Sequence, residues 1–553
     1  MRQFAGSLIC GLLALGIAGC THIPFLEDSP NAGLGTTGFV KGFFGGVAAD
    51  EPQAALAGRD VLTAGGTAAD AAVSVYFTLS VTMPSAAGLG GGGICLVRNA
   101  DNESVETLDF LGQPSSGPGR RVLVPGNPRG MFALHAKYGR FEWREMIRPA
   151  ENLARFGSIV SRAFATDLAL GENALATGDP GPYVRANGKI VGERDRLVQT
   201  ELAATLSQIR ARGGGVIYAG PGARRFSDDA ERAGFGITMR DLEANLPIWR
   251  SALKVPFIQD TNLHFPMPRT PNGTLAAKMA AMLAADGRMR GTKGSERAHI
   301  FAEAIQRAMA DGAAGFHAVE SKRVIAQPKK PQQTRTTSYT QLDTDYAKRL
   351  FTGFRAERLT QLAAGGRESF PITAKGGSTS FVVIDNGGNA VACALTMNGS
   401  FGTGRAVPST GVYLAPFPEN PAVRDLSLAA AITDKSFGNK LFFAGAASGD
   451  AASQAVLTEL GLAISYDPES KIDEIAASAP RIYRDLASGI TYTETGAPAD
   501  VRDGLIQRGH RVETTAQLSR VNMAFCPYGL PAPVSGCRIV TDPRGFGYST
   551  VSE

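Results

Sequence analysis

Residues 378–385, STSFVVID, and residues 390–397, AVACALTM, are two apolar runs separated only by Asn386-Gly387-Gly388-Asn389. Apolar runs of strand length joined by a Gly-rich turn read as a hairpin of buried strands, here at the centre of a sheet. Three small hydroxyl residues, Ser378, Thr379 and Ser380, stand at the mouth of the first strand, directly after Gly376-Gly377. Ser and Thr are common at strand starts. The other reading makes one hydroxyl a nucleophile, with the Gly-Gly marking where the chain is cut to expose it.

The periodicity differs on the two sides of this point. From residue 45 to about 320 the patterns are mostly helical, as in AADEPQAALAGRDVLTAG, GTAADAAVSVYFTLSVT and TELAATLSQIRARGG. Residues 325–377 turn polar, with QPKKPQQTRTTS the most linker-like part. After Ser378 strand patterns dominate, including GVYLA and KLFFAGAAS. The glycine turn Gly88–Val97, GLGGGGICLV, lacks the Lys-Ser or Lys-Thr ending of a phosphate loop and reads as a crowded backbone opening onto a strand.

The first twenty residues hold one Arg, an apolar stretch from Leu8 to Ala18, and then Gly19-Cys20. That stretch is short for a membrane span and fits a signal peptide. Its ending resembles a bacterial lipobox, which implies lipidation of Cys20 and, with Thr21 following, the periplasmic face of an outer membrane. Residues 1–19 are thus expected to be a signal peptide and 20–44 a tether. Export permits disulfides. Cys526 and Cys537 flank a Pro/Gly-rich loop and could bridge, whereas Cys95 and Cys393 sit in apolar runs and read as small buried hydrophobes. No cysteine or histidine spacing suggests a metal site, and no cofactor is expected. A net charge of only +5 without a dense Lys/Arg block argues against nucleic acid as a partner.

None of the six histidines lies in a context that suggests a Ser-His-Asp triad. A hydroxyl nucleophile still needs a base. If the chain is cut immediately before that residue, its own α-amine, with a reference pKa of about 7.7–8.0, can serve near neutrality.

Four stretches, DAAVSVYFTLSVTMPSAAGLGGGGICLV, VPGNPRGMFALHAKYG, IRPAENLARFGSIVS and GGSTSFVVIDNGGNAVACALTMNGSFGTGRAVPSTGVYL, together resemble the γ-glutamyltransferase family of N-terminal-nucleophile (Ntn) hydrolases. The similarity runs from about Gly45 to near the C-terminus. It implies an α/β fold of four layers, an αββα sandwich, spanning residues 45–553 and self-processed into large (45–377) and small (378–553) fragments. The family nucleophile opens a motif of the form T-T-H-x-S-V-V-D, which falls on STSFVVID. Ser378 is therefore the expected nucleophile, Gly377-Ser378 the cleavage site, and Thr379 the rival. Thr396, eighteen residues after Ser378, would orient the amine and hydroxyl, and Asn398 would contact substrate. The backbone donors of the oxyanion hole would be Ser448 and Gly449.

The same resemblance shows where this chain departs. Leu111 stands where the family has an Arg for the α-carboxylate of the glutamyl group. Asn420, beside Glu419, stands where an Asp holds the α-amine. Of a Ser-Ser pair only Ser427 remains, with Leu428 in place of its partner. Leu cannot imitate a bidentate Arg–carboxylate contact. The expected function is an amidohydrolase or acyltransferase that forms an acyl-Ser378 intermediate from a γ-glutamyl or related small-molecule or peptide amide. The alternative is a non-catalytic lipoprotein that binds a peptide or cell-wall fragment at a degenerate site.

Overall fold

The Ser378–Asp385 and Ala390–Thr396 strands form the expected antiparallel hairpin, with Ser378 opposite Thr396 and Ile384 opposite Ala390. Every residue of both strands is buried. The computed structural model describes residues 42–178, 180–185, 187–257, 260–267, 274–311, 316–325, 333–362, 372, 376–418, 424, 427–435, 440–466, 478–532 and 536–552. The expected signal peptide, Cys20 and most of the tether, and also Glu419 and Asn420, lie outside the described residues. Phe43–Ser552 form one unit.

The hairpin supplies two inner strands of a seven-stranded sheet. Its spatial order is Tyr548–Ser552, Gly45–Ala49, Ser378–Asp385, Ala390–Thr396, Gly92–Asn99, Ser104–Asp109, Ile248–Ser251. A second sheet of eight strands runs Arg538–Thr541, Arg520–Leu530, Leu441–Ser448, Leu428–Lys435, Thr261–Phe265, Leu253–Pro256, Gln333–Leu342, Phe316–Ile325.

Three cores separate the layers, and strand alternation decides which side chain enters which. Val382 and Ile384 point between the sheets, where they meet Ala392, Ala430, Ala444, Ala446 and Ala524. Small side chains on both facing surfaces let the sheets approach closely. Phe381 and Val383 point the other way, into a core shared with the helices Pro52–Thr63, Ala68–Thr82 and Trp143–Phe156. Ala68–Thr82 is buried at all 15 positions and starts from a capping box between Thr67 and Asp70. The outer face of the second sheet packs Leu263, Phe443 and Val521 against the helices Leu275–Asp286, Gly294–Asp311 and Ser453–Tyr466. The result is the expected helix–sheet–sheet–helix sandwich.

Three expectations need correction. The region read as helical to about residue 320 contains the strands Ile248–Ser251, Leu253–Pro256 and Thr261–Phe265. Part of the segment read as a linker is the strand Gln333–Leu342, paired with Phe316–Ile325 over ten residues. Cys95 and Cys393 are not free thiols: they are direct partners on adjacent strands and form a disulfide, and Cys526–Cys537 forms another.

Candidate active site

Gly376 and Gly377 both have positive φ, 66° and 77°. A Cβ on Gly377 would lie 2.1 Å from the Gly399 carbonyl carbon, so only glycine fits where the chain turns into the Ser378 strand. The Gly377 carbonyl oxygen accepts two hydrogen bonds, from Met397 N–H at 2.7 Å and from the Thr396 hydroxyl at 3.2 Å. Two donors on one carbonyl oxygen polarise it in the way an oxyanion hole does. Asn398 N–H in turn donates to Thr396 Oγ1 at 2.9 Å, which fixes the rotor. Asn398 itself has φ +55°, and its amide donates to Pro416 O at 3.2 Å.

Ser378 and Thr379 differ in surroundings because successive side chains point to opposite faces. Thr379 Oγ1 donates to Asp50 Oδ2 at 2.9 Å and is fully buried. Ser378, 4% exposed, faces the side of Thr396, and its hydroxyl makes no hydrogen bond among the described residues. Ser448 ends the strand Leu441–Ser448, and Gly449, with φ +133°, makes the turn after it. A cavity of about 80 Å³ has Ser378, Gly376 and Gly449 in its wall.

The same wall holds Asp167 and Arg520, which the sequence reading did not single out. Asp167, from the helix Arg162–Thr177, is 2% exposed, and neither carboxylate oxygen makes a hydrogen bond of normal geometry, although the Ser85 hydroxyl lies close enough to pull its pKa down. Burial pushes its carboxyl above the usual range, against the pull of Arg520. Arg520 donates to Ser378 O at 3.4 Å. Burial works against its charge, but the carboxylates of Asp50, Asp167, Asp542 and Asp450 together outweigh that and raise its pKa. Asp50 is tied more firmly, accepting from Thr379, from Ser380 N–H and from Asn522 Nδ2 at 2.7 Å. No motif carries Asp50, Asp167 or Arg520. They lie far apart in sequence and meet only through packing.

The remaining expected residues divide. Ser427 is buried and donates to Arg424 O at 2.8 Å, and among the described residues no hydrogen bond joins it to Ser378. Leu111 and Leu428, the two departures at the expected carboxylate grip, pack together with Ala394 in one small apolar cluster. Leu428 is the direct strand partner of Ser448, and Ala394 that of Ser380. Among the described residues no group of three His, Cys, Asp or Glu side chains could hold a metal ion.

The family profile described as Gamma-glutamyltranspeptidase matches residues 54–117 and 112–416. The chain is 26% identical over 524 residues to a glutathione hydrolase proenzyme of Bacillus subtilis, covering 85% of this chain and 86% of the relative. It is 28% identical over 524 residues to an acylase ACY 1 proenzyme of a Pseudomonas species, covering 85% and 87%. In fold it resembles the crystal structure of cephalosporin acylase from Bacillus halodurans, with a TM-score of 0.71 at 18% identity, over 95% of this chain and 99% of that one.

Proposed function

We propose a function from one premise: the chain belongs to the γ-glutamyltranspeptidase family, and it is an enzyme of that family's Ntn-hydrolase kind. The proposed reaction begins with the chain itself. Ser378 Oγ attacks the Gly377 carbonyl carbon, the C–N bond breaks, and the acyl group moves to oxygen. Water then hydrolyses this ester, leaving a Gly377 carboxylate and a free Ser378 α-amine. The observation that carries this reading is the Gly377 carbonyl, held by Met397 N–H and the Thr396 hydroxyl directly beside Ser378. Those donors would stabilise the developing oxyanion.

In the cut enzyme the α-amine takes the proton of Ser378 Oγ as the oxygen attacks a donor amide. The backbone N–H groups of Ser448 and Gly449 receive the oxyanion, and Thr396 orients the amine and hydroxyl. The departing amine takes the proton back, and water or an acceptor amine then resolves the acyl-Ser378 ester.

The relatives named glutathione hydrolase and acylase both support an amide donor, γ-glutamyl or related. The Leu111–Leu428–Ala394 cluster favours a donor whose acyl end is less polar than a free amino acid. Two disulfides support an oxidising compartment, in line with a lipid anchor on Cys20 at the envelope. N-terminal sequencing of the small fragment tests the nucleophile. Ser-Thr-Ser is expected, whereas Thr-Ser-Phe transfers the role to Thr379. Burst release of an amine from an acyl anilide panel, stoichiometric with protein, tests the acyl-enzyme, and no burst with any donor sinks it.

A further inference from the structure

The Cys95–Cys393 disulfide spans a sequence separation of 298, whereas Cys526 and Cys537 are separated by 11. Cys95 lies before the Gly377–Ser378 bond and Cys393 after it. Cys526 and Cys537 both lie after it. We infer that the Cys95–Cys393 bridge keeps the two fragments of the cut chain covalently joined, so that the enzyme works as one cross-linked molecule rather than as a dissociable pair. This rests on the reading that the chain cuts itself before Ser378.

The chemistry of the cut leaves the bridge untouched. Hydrolysis breaks one C–N bond, consumes one water and yields a carboxylate and an amine. No electrons change hands, so the sulfurs stay at their oxidation level without any oxidant or reductant. Both cysteines are fully buried, in the core between the first sheet and its helices, where soluble thiols reach them poorly.

The position also matters for the site. Cys393 precedes Thr396 by three residues on one strand, and Cys95 follows Gly92, the strand partner of Thr396, by three. The bridge therefore fixes the seam along which the two fragments meet beside the nucleophile. Asp50 and Asp167 come from the large fragment, while Ser378, Thr396 and Arg520 come from the small one. A non-covalent pair would lose this arrangement only when diluted below its dissociation constant. A cross-linked pair re-forms intramolecularly, at an effective concentration that dilution does not change.

The test is a denaturing gel of the purified protein, thiols blocked with N-ethylmaleimide, run with and without reductant. One band of full-length size without reductant and two bands with it are expected. Two bands without reductant overturn the inference. One band in both lanes sinks self-cleavage instead. The tryptic map of unreduced protein then decides the bridge, since Cys95 and Cys393 in separate peptides overturn it and a single cross-linked peptide sustains it. In a Cys95→Ala/Cys393→Ala variant, activity should fall at least tenfold after hundredfold dilution below micromolar, while the parent keeps constant specific activity.

Discussion

Two buried polar clusters in this molecule handle their hydrogen bonds in opposite ways. Under the second sheet, Thr491 donates to His510 Nδ1 at 2.9 Å. His510 Nε2–H donates to His299 Nδ1 at 2.8 Å, and His299 Nε2–H donates to Arg355 O at 2.8 Å. Burial favours the neutral form of both rings, and with both neutral the carbonyl at the end, which can only accept, assigns both tautomers. Every ring nitrogen is matched. At the Ser378 cavity, the Ser378 hydroxyl makes no hydrogen bond among the described residues, and neither Asp167 oxygen makes one of normal geometry, with only the Ser85 hydroxyl close by. A buried carboxylate without a well-formed partner costs stability, and its place beside a polarised carbonyl fits the proposed cleavage site. His299 and His510 belong here to the scaffold.

The largest effect should come from Ser378→Ala. It removes the attacking oxygen, so both self-cleavage and turnover should fall by about 10⁴-fold or more, read on a reducing gel and in an amide-release assay. Retained cleavage would mean that the open cavity is not where the chain is cut.

Two threonines allow a sharper cut through the comparison. Thr396→Ala removes one of two donors on the Gly377 carbonyl, and cleavage should slow about 10²-fold. Thr379→Ala removes a satisfied, structural hydroxyl. It should cost about 1 kcal/mol of stability, because Asp50 keeps its donors from Ser380 N–H and Asn522, yet leave the cleavage rate within a fewfold. The reverse ranking in a time course of cleavage would exchange their roles.

What could be read from the sequence follows the same physical division. The hairpin was legible because its strands are continuous apolar runs joined by a local turn, and the Ser378–Thr396 pairing follows from that turn. The second sheet was legible only in part, through the apolar run KLFFAGAAS that forms its strand Leu441–Ser448. Its strand Thr261–Phe265 pairs with Leu428–Lys435, more than 150 residues away, and the polar text QTRTTSYTQL has no apolar run to betray a strand. The Cys95–Cys393 bridge depends on strand order and register, which composition does not reveal. Asp167 and Arg520 sit in a helix and at a strand start without a motif, and only tertiary packing sets them beside Ser378.

The matched cluster should show itself as acid sensitivity. Burial, with further cationic repulsion, pushes His510 down to about 3, and burial also lowers His299. A histidine whose folded pKa is depressed binds fewer protons folded than unfolded. Its contribution is therefore complete above the unfolded value of about 6.5 and is lost as pH falls toward about 3. Urea unfolding of the uncut Ser378→Ala chain should lose on the order of 3 kcal/mol between pH 7 and pH 4 from this source. His510→Gln, which takes up no proton, should flatten that part of the profile. An unchanged slope would place the acid sensitivity elsewhere.

Asp167 gives the smallest effect and the most direct test of the contrast. Its carboxylate is buried without a hydrogen bond of normal geometry, and burial outweighs the attraction of Arg520 and the nearby Ser85 hydroxyl in setting its raised pKa. An acid with a raised folded pKa binds more protons folded than unfolded, so wild-type stability gains as pH falls through that range. Asp167→Asn removes the charge while keeping the shape. At pH 7–8 it should stabilise the chain by about 1 kcal/mol, and the gain should shrink in acid, where Asp167 itself becomes neutral. Turnover should fall in the same variant, because the charge belongs to the cavity that holds Ser378. A loss of stability would mean that Asp167 is a satisfied scaffold carboxylate like Asp50. A gain in stability without a loss of turnover would make it a bystander, and the open cluster would then shrink to Ser378 and the donors on Gly377.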